Sequence, residues 1–238
     1  MTGSPMQPCF VIHRRDYRNS SLLLELFTPG EGRMAAIARG AKSGRALRAA
    51  LLQPFRPLLV VLSGRGEVKT LGQVEAEGRA FALSGRALYC GFYLNELLMR
   101  LVQRTDPHPD LFVRYIEALE GLAAGRQLEN CLRSFEIDLL KELGYEMVLD
   151  QETRMGQPVM PEQCYEYILE QGPVLAQAGS SARLIHGRTL LDLHNKTAME
   201  AASLAEARGL MRRVLAFYLG DKPLKSRELF RNFKQTGD

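Results

Sequence analysis

Apolar and polar positions change their period once along this chain, near residue 80. Before that point, apolar residues come in short runs separated by turn-forming residues. Residues 10–13 make one run, and Leu22-Leu23-Leu24-Glu25-Leu26-Phe27 makes the next. Pro29-Gly30-Glu31-Gly32 reads as a turn into Arg33-Met34-Ala35-Ala36-Ile37-Ala38-Arg39. Residues 58–62 and 68–71 flank Ser63-Gly64-Arg65-Gly66, a hairpin turn by composition. Five short strands with close turns predict a small barrel, because closure leaves no open edge. Between the third and fourth strands, Leu47, Leu51 and Leu52 fall at helical spacing. Five strands with one helix after the third is the layout of an OB-fold.

From about Leu83 the period is helical. Residues 87–103 are apolar around most of the circumference, with Glu96, Arg100 and Gln103 as one narrow polar stripe. Such a helix is expected in the middle of a helical domain. Leu111, Phe112, Tyr115, Ile116 and Leu119 mark a second helix, started by Pro109-Asp110. Leu132, Phe135, Leu139, Leu140 and Leu143 mark a third, with Gly144 as its C-terminal cap. Residues 145–180 lose the period, and the runs on either side of Gln171-Gly172 suggest a small hairpin. Helices return over 187–194, 201–219 and 224–233. The expected class is α+β: an N-terminal five-stranded OB-fold barrel over 1–80, followed by a mostly α-helical domain over 81–238 with an irregular or hairpin insertion around 145–180.

Charge sharpens this picture. The formal charge is only +4, but residues 1–80 hold twelve Lys/Arg against six Asp/Glu. No acidic residue lies between Glu31 and Glu67. That interval carries Arg33, Arg39, Lys42, Arg45, Arg48, Arg56 and Arg65, and Lys69 follows. A basic stretch of this kind attracts polyanions and pairs with phosphates regardless of sequence. A solvated basic face without a partner is the bland alternative. Phe10, Phe27 and Phe55 are the candidate stacking rings, although small barrels more often bury such residues.

Catalytic patterns do not assemble. Gly40-Ala41-Lys42-Ser43 has alanines where a P-loop requires glycines. Ser43 and Ser63 lack a nucleophile elbow. His13, His108, His186 and His194 form no i, i+4 pair, and Cys9, Cys90, Cys131 and Cys164 lack paired-ligand spacing. The reading is a protein that is not an enzyme and needs no cofactor. No run of eighteen apolar residues and no secretory leader is found, so a cytoplasmic protein without a membrane partner is expected.

Several segments resemble the RecO family of bacterial recombination mediators. They are Arg39-Gly40-Ala41-Lys42-Ser43, Leu52-Gln53-Pro54-Phe55, Gly64-Arg65-Gly66-Glu67-Val68-Lys69-Thr70-Leu71, Tyr93-Leu94-Asn95-Glu96-Leu97-Leu98, Arg133-Ser134-Phe135-Glu136 and Leu143-Gly144-Tyr145. Tyr218-Leu219-Gly220-Asp221-Lys222-Pro223-Leu224-Lys225-Ser226-Arg227-Glu228-Leu229 completes the set. The resemblance implies binding of single- and double-stranded DNA, annealing of complementary strands, cooperation with RecR and help in loading RecA. It also implies contact with the acidic C-terminal tail of single-stranded DNA-binding protein, and nucleoid association when DNA is bound. Arg133, with Leu132 and Phe135, matches the family's pattern and is the candidate receiver of that tail. An ordinary surface ion pair with Glu129, four residues earlier on the same helix, is the alternative for Arg133. Lys222, Lys225 and Arg227 form a second cluster. Some members of the family carry a four-cysteine zinc module, of which only Cys164 stands in the corresponding region. An OB-fold protein of translation or ribosome maturation, or a helical protein–protein adaptor, would share the basic barrel or the helices.

Overall fold

The computed structural model describes residues 5–42, 46–125, 127–177, 179–180 and 183–226. Its first five strands are β1 (Gln7–Tyr17), β2 (Ser21–Thr28), β3 (Gly32–Ala38), β4 (Leu58–Ser63) and β5 (Val68–Ala76), with the short helix α1 (Ala46–Leu51) after β3. They close into a barrel in the order β1-β2-β3-β5-β4, and β4 returns to β1 through the pairs Gln7 with Val60 and Cys9 with Leu58. This is the OB-fold that the strand count predicted. Alternation sends Val11, Leu24, Leu26, Met34, Leu58 and Val60 inward, and Leu52, just past α1, joins the same core. Register shifts at Val11/His13 and Val60/Leu62 bend β1 and β4, as bulges do where a sheet must curl to close.

The outer side of β1 and β2 is also apolar, at Phe10 and Phe27. Two helices cover it, α2 (Gly85–Leu101) and α3 (Pro109–Ala123). Phe10 meets Phe112 and Tyr115 at ring-centroid distances of 5.5 and 5.1 Å, and Phe27 meets the same pair at 5.6 and 6.1 Å. The buried Tyr115 hydroxyl donates to Asn95 Oδ1 at 2.6 Å. The chain accordingly packs into two compact units, one running to Ala124 and resuming at Pro223, the other Gly125–Lys222. By packing, α2 and α3 go with the barrel, whereas periodicity suggested that α2 lies amid a helical domain. The reason is the aromatic exterior of β1 and β2, which is stable only when covered. The polar stripe of α2 is used as well: Glu96 accepts from the Lys225 and Ser226 backbone N–H groups at 2.8 Å each. Most of the helix expected over 224–233 lies outside the described residues.

The second unit contains α4 (Leu128–Glu142), a three-stranded antiparallel sheet and two more helices, α5 (Gly187–Asn195) and α6 (Ala201–Leu219). The sheet has the order β7-β6-β8, with β6 (Cys164–Ile168), β7 (Gly172–Leu175) and β8 (Leu184–His186). The β6–β7 hairpin was expected, whereas β8 was not. α4 ends as the sequence indicated. Gly144 has φ +80°, its N–H donates to the Lys141 carbonyl at 3.0 Å, and the Tyr145 N–H reaches Leu140 at 2.8 Å. That pair of bonds is a Schellman cap. Among the described residues, no helix is long and apolar enough to cross a membrane.

Candidate nucleic-acid interface

One end of the barrel gathers exposed cations. Tyr17 faces Ser21 across the β1–β2 turn, Leu22 faces Ala38 at the end of β3, and the Lys42 N–H donates to the Ser20 carbonyl at 2.9 Å. These pairings bring the end of β1, the β1–β2 turn and the segment after β3 onto one rim. Arg15, Arg18, Arg39 and Lys42 are exposed there, with Asp16 as the one carboxylate among residues 13–22 and 38–42. Lys42 Nζ lies 2.7 Å from Asp16 Oδ2, with side-chain exposures of 36% and 73%. A pair so open to solvent is weak, and it leaves the rim strongly positive. Arg14 is engaged internally, since Nη1 donates to the carbonyls of Ala49 and Leu52 at 3.3 Å each.

The eight cations singled out in the sequence do not converge. Arg39 and Lys42 reach the rim just described. Arg45 and the Arg48 side chain fall outside the described residues. Arg65 is exposed on the β4–β5 turn, and half-buried Lys69 donates from Nζ to the Gly64 carbonyl at 3.1 Å. Because Gln7 faces Val60 and β4 runs on to Ser63, this turn lies beyond the start of β1, at the opposite end from Tyr17. Arg56 is half-buried on the approach to β4, and its Nε has no hydrogen-bond partner among the described residues.

Arg33 is held inside the fold. Its Nε donates to the Val102 carbonyl at 3.0 Å and its Nη1 to Glu25 Oε2 at 3.3 Å, while Arg104 takes the other Glu25 oxygen. Burial lowers the pKa of the Arg33 guanidinium, Glu25 opposes that shift, and Arg104 adds to it. The three candidate rings are all core, as is usual for a small barrel, with Phe10, Phe27 and Phe55 no more than 5% exposed. Charge counting missed Arg15 and Arg18, because Asp16 interrupts their stretch and took it out of the acid-free interval. The signal that could have found them is the run His13-Arg14-Arg15-Asp16-Tyr17-Arg18, with four cations or histidines to one acid.

Comparison with known proteins decides the family. Residues 4–78 match the family described as Recombination protein O N terminal, and residues 83–228 match Recombination protein O C terminal. The chain belongs to the RecO family. It is 51% identical over 223 residues to the DNA repair protein RecO of Methylococcus capsulatus, covering 94% of this chain and 91% of that one. Identity to the DNA repair protein RecO of Nitrosospira multiformis is 43% over 231 residues, 96% of each chain. The RecO family comprises DNA repair and recombination proteins, so the basic barrel belongs to a chain of that role.

The RecO resemblance also named Arg133, Leu132 and Phe135 on α4, and all three are buried, at 7, 7 and 2% exposure. Arg133 does not make the alternative surface pair with Glu129. Its partner is the fully buried Glu136, at 2.7 Å, while Glu129 accepts from Arg208 at 3.4 Å. In the same unit, β8 and α6 bound a cleft of about 180 Å³ in which Arg183 and Arg213 stand with Leu184, Ile185 and Leu210, and the Glu206 carboxylate shares the lining. Arg183 packs close to Gly209, where a Cβ would stand 3.2 Å from its guanidinium. Lys222 and Lys225 are exposed, and Arg227 is outside the described residues. The histidines have separate companions: His108 Nε2 is 3.2 Å from Asp106 and His186 Nδ1 is 2.6 Å from Glu206. Among the described residues, no three His, Cys, Asp or Glu are placed to hold a metal ion.

Proposed function

We propose that this chain is a recombination mediator that holds single- and double-stranded DNA on the cationic rim of its barrel, anneals complementary strands and helps load RecA on DNA coated by single-stranded DNA-binding protein, in cooperation with RecR. The observation that carries the reading is the cluster of Arg15, Arg18, Arg39 and Lys42 on one rim, in a chain of the RecO family. Annealing requires only that two polyanions be held together with part of their charge neutralised. No covalent bond is made or broken in that step, so the reading assigns the chain no enzymatic role. Arg65 and Lys69, at the other end, would serve as a second phosphate site for a strand that runs along the barrel, and Arg45 and Arg48 are proposed as further phosphate contacts. The test is a salt titration of the triple variant Arg15→Glu/Arg39→Glu/Lys42→Glu with both DNAs. Every phosphate no longer neutralised should lower the slope of log K against log salt by about 0.7 on single strands and about 0.9 on duplex. An unchanged slope would place the DNA site elsewhere.

The acidic tail of single-stranded DNA-binding protein is proposed to dock on the second unit, and two placements are open to test. One is Arg133 with Leu132 and Phe135, as the resemblance implies, and it requires α4 to yield a buried ion pair. The other is the cleft of Arg183 and Arg213, supported by an apolar wall and by two cations against one lining carboxylate, Glu206, which the His186 and Thr189 donors already engage. Arg133→Gln and Arg213→Glu, each titrated with the tail peptide, separate them. Lys222, Lys225 and Arg227 are proposed for RecR or for the same tail.

A further inference from the structure

The barrel sequence holds four aromatic rings, and three of them, Phe10, Phe27 and Phe55, are 1, 0 and 5% exposed. Tyr17 alone keeps surface. It is the last residue of β1, so its ring sits on the rim that carries Arg15, Arg39 and Lys42. Arg18 follows it in left-handed backbone, at φ +54°, a conformation that a long side chain adopts only where its surroundings hold it there. The Arg18 guanidinium lies 5.2 Å from the centroid of the Tyr17 ring. Among the described residues, Arg18 is exposed and makes no ion pair, in contrast to Lys42 with Asp16 and Arg33 with Glu25.

We propose that Tyr17 and Arg18 form a stacking platform for an unpaired base of single-stranded DNA. This rests on the reading that the rim holds DNA, and it adds a distinction that cations cannot make. Phosphates are present on single strands and duplexes alike, so Arg15, Arg39 and Lys42 hold both. A ring and a guanidinium plane accept the face of a base only when that face is free. In a duplex both faces are already covered by neighbouring bases. The platform therefore favours unpaired strands, and pairing withdraws the base from it. The annealed product is then held by phosphate pairing alone and leaves more readily than its precursors.

The chain contains no tryptophan, so Tyr17→Trp introduces a single indole at the platform. Single-stranded DNA should quench its fluorescence on binding, and duplex bound to the same extent should not. In anisotropy titrations over a range of salt, Tyr17→Ala should lose about 5- to 150-fold in affinity for single strands, the range for one stacked base. Its salt slope and its duplex affinity should stay as in the parent protein, Tyr17→Phe should recover most of the loss, and Arg18→Ala should lose part of it. Equal loss on both DNAs, no loss on either, or an unquenched indole with single strands bound overturns the platform. If Arg39→Glu still lowers the salt slope in that case, the rim stands as a phosphate site and only the stacking role falls. If Arg39→Glu changes nothing, the rim and the platform fall together.

Discussion

The ion-pair node on the outer side of β2 and β3 allows a quantitative test of how the barrel is held. Glu25 is 8% exposed and bridges Arg33 and Arg104, and Arg33 also donates to the Val102 carbonyl at 3.0 Å. Glu25→Gln keeps the shape and removes the charge, so two guanidiniums then face each other without an anion. Removing one partner of a fully buried pair costs about 3–5 kcal/mol. Two features reduce that figure here: Arg33 keeps its carbonyl partner, and the Arg104 side chain is 42% exposed and can turn to water. The expected cost is about 2–4 kcal/mol by the same rule. With a urea m-value of about 2 kcal/mol/M, the midpoint falls by about 1–2 M. Hydrogen exchange of the β2 and β3 amides assigns the loss to the barrel rather than to the second unit. In Glu25→Gln/Arg33→Met both charges are gone, and at least half of the lost stability should return, because no uncompensated guanidinium is left at Arg33. That double variant should also bind DNA with the parental salt slope, since Arg33 serves the fold and not the rim. A cost below about 1 kcal/mol for Glu25→Gln, small for a broken buried pair, or a double variant no better than the single one, would refute the reasoning.

Two further outcomes follow from geometry in each unit. A Cβ on Gly32 would stand 1.8 Å from the Asp106 carbonyl oxygen, on backbone at φ +64°, so Gly32→Ala should cost more than about 3 kcal/mol, whereas Gly30→Ala, with nothing within 4 Å, should stay within about 0.5 kcal/mol. Urea midpoints of the two variants check this contrast. In the second unit, burial raises the pKa of Glu206, but the His186 N–H, the Thr189 hydroxyl and the His186 ring outweigh it and hold the carboxyl below its ordinary value. A lowered folded pKa gives stability that is full above the unfolded value of about 4.3 and is lost as pH falls through the folded one. Glu206→Gln should therefore be less stable than the parent at pH 7 and equal to it once the carboxyl is protonated in both states, as urea midpoints across that pH range would read.

The strands were legible where glycine-rich turns bounded apolar runs, and less so where one face meets water. β1 shows only four apolar residues in a row, Cys9 to Ile12, yet runs from Gln7 to Tyr17, because its second half, His13 to Tyr17, is polar and mostly open to solvent. β5 continues to Ala76 for the same reason, with Glu75 and Gln73 on its outer side. β8 has three residues, Leu184 to His186, too few for any period to register. The position of α2 and α3 followed from a fact that a linear pattern does not carry. Alternation says which residues of β1 point away from the barrel interior, but not that Phe10 and Phe27 on that outer side demand a second cover.

The same distinction governs the site. Composition along the chain located a basic region, because like charge without neutralising acid is a property of the sequence itself. It could not tell which cations share an end of the barrel, since that depends on register. Arg33 and Arg39 lie at opposite ends of one strand, and register sends the first to Glu25 and the second to the rim. Glu25 faces Ala35 directly and meets Arg33 on the diagonal, a contact that pairs residues eight apart in sequence across two strands. Counting acids between Glu31 and Glu67 leaves that carboxylate out, and so treats Arg33 as free to meet a phosphate. The rule that emerges for a basic barrel is specific. A cation whose strand register pairs it with a buried acid should be removed from the candidates, and a cation at a strand end beside a turn should be added even when an acid adjoins it. Applied to this chain, the rule drops Arg33 and admits Arg15 and Arg18. With Arg18 comes Tyr17, the one barrel ring that the core does not claim.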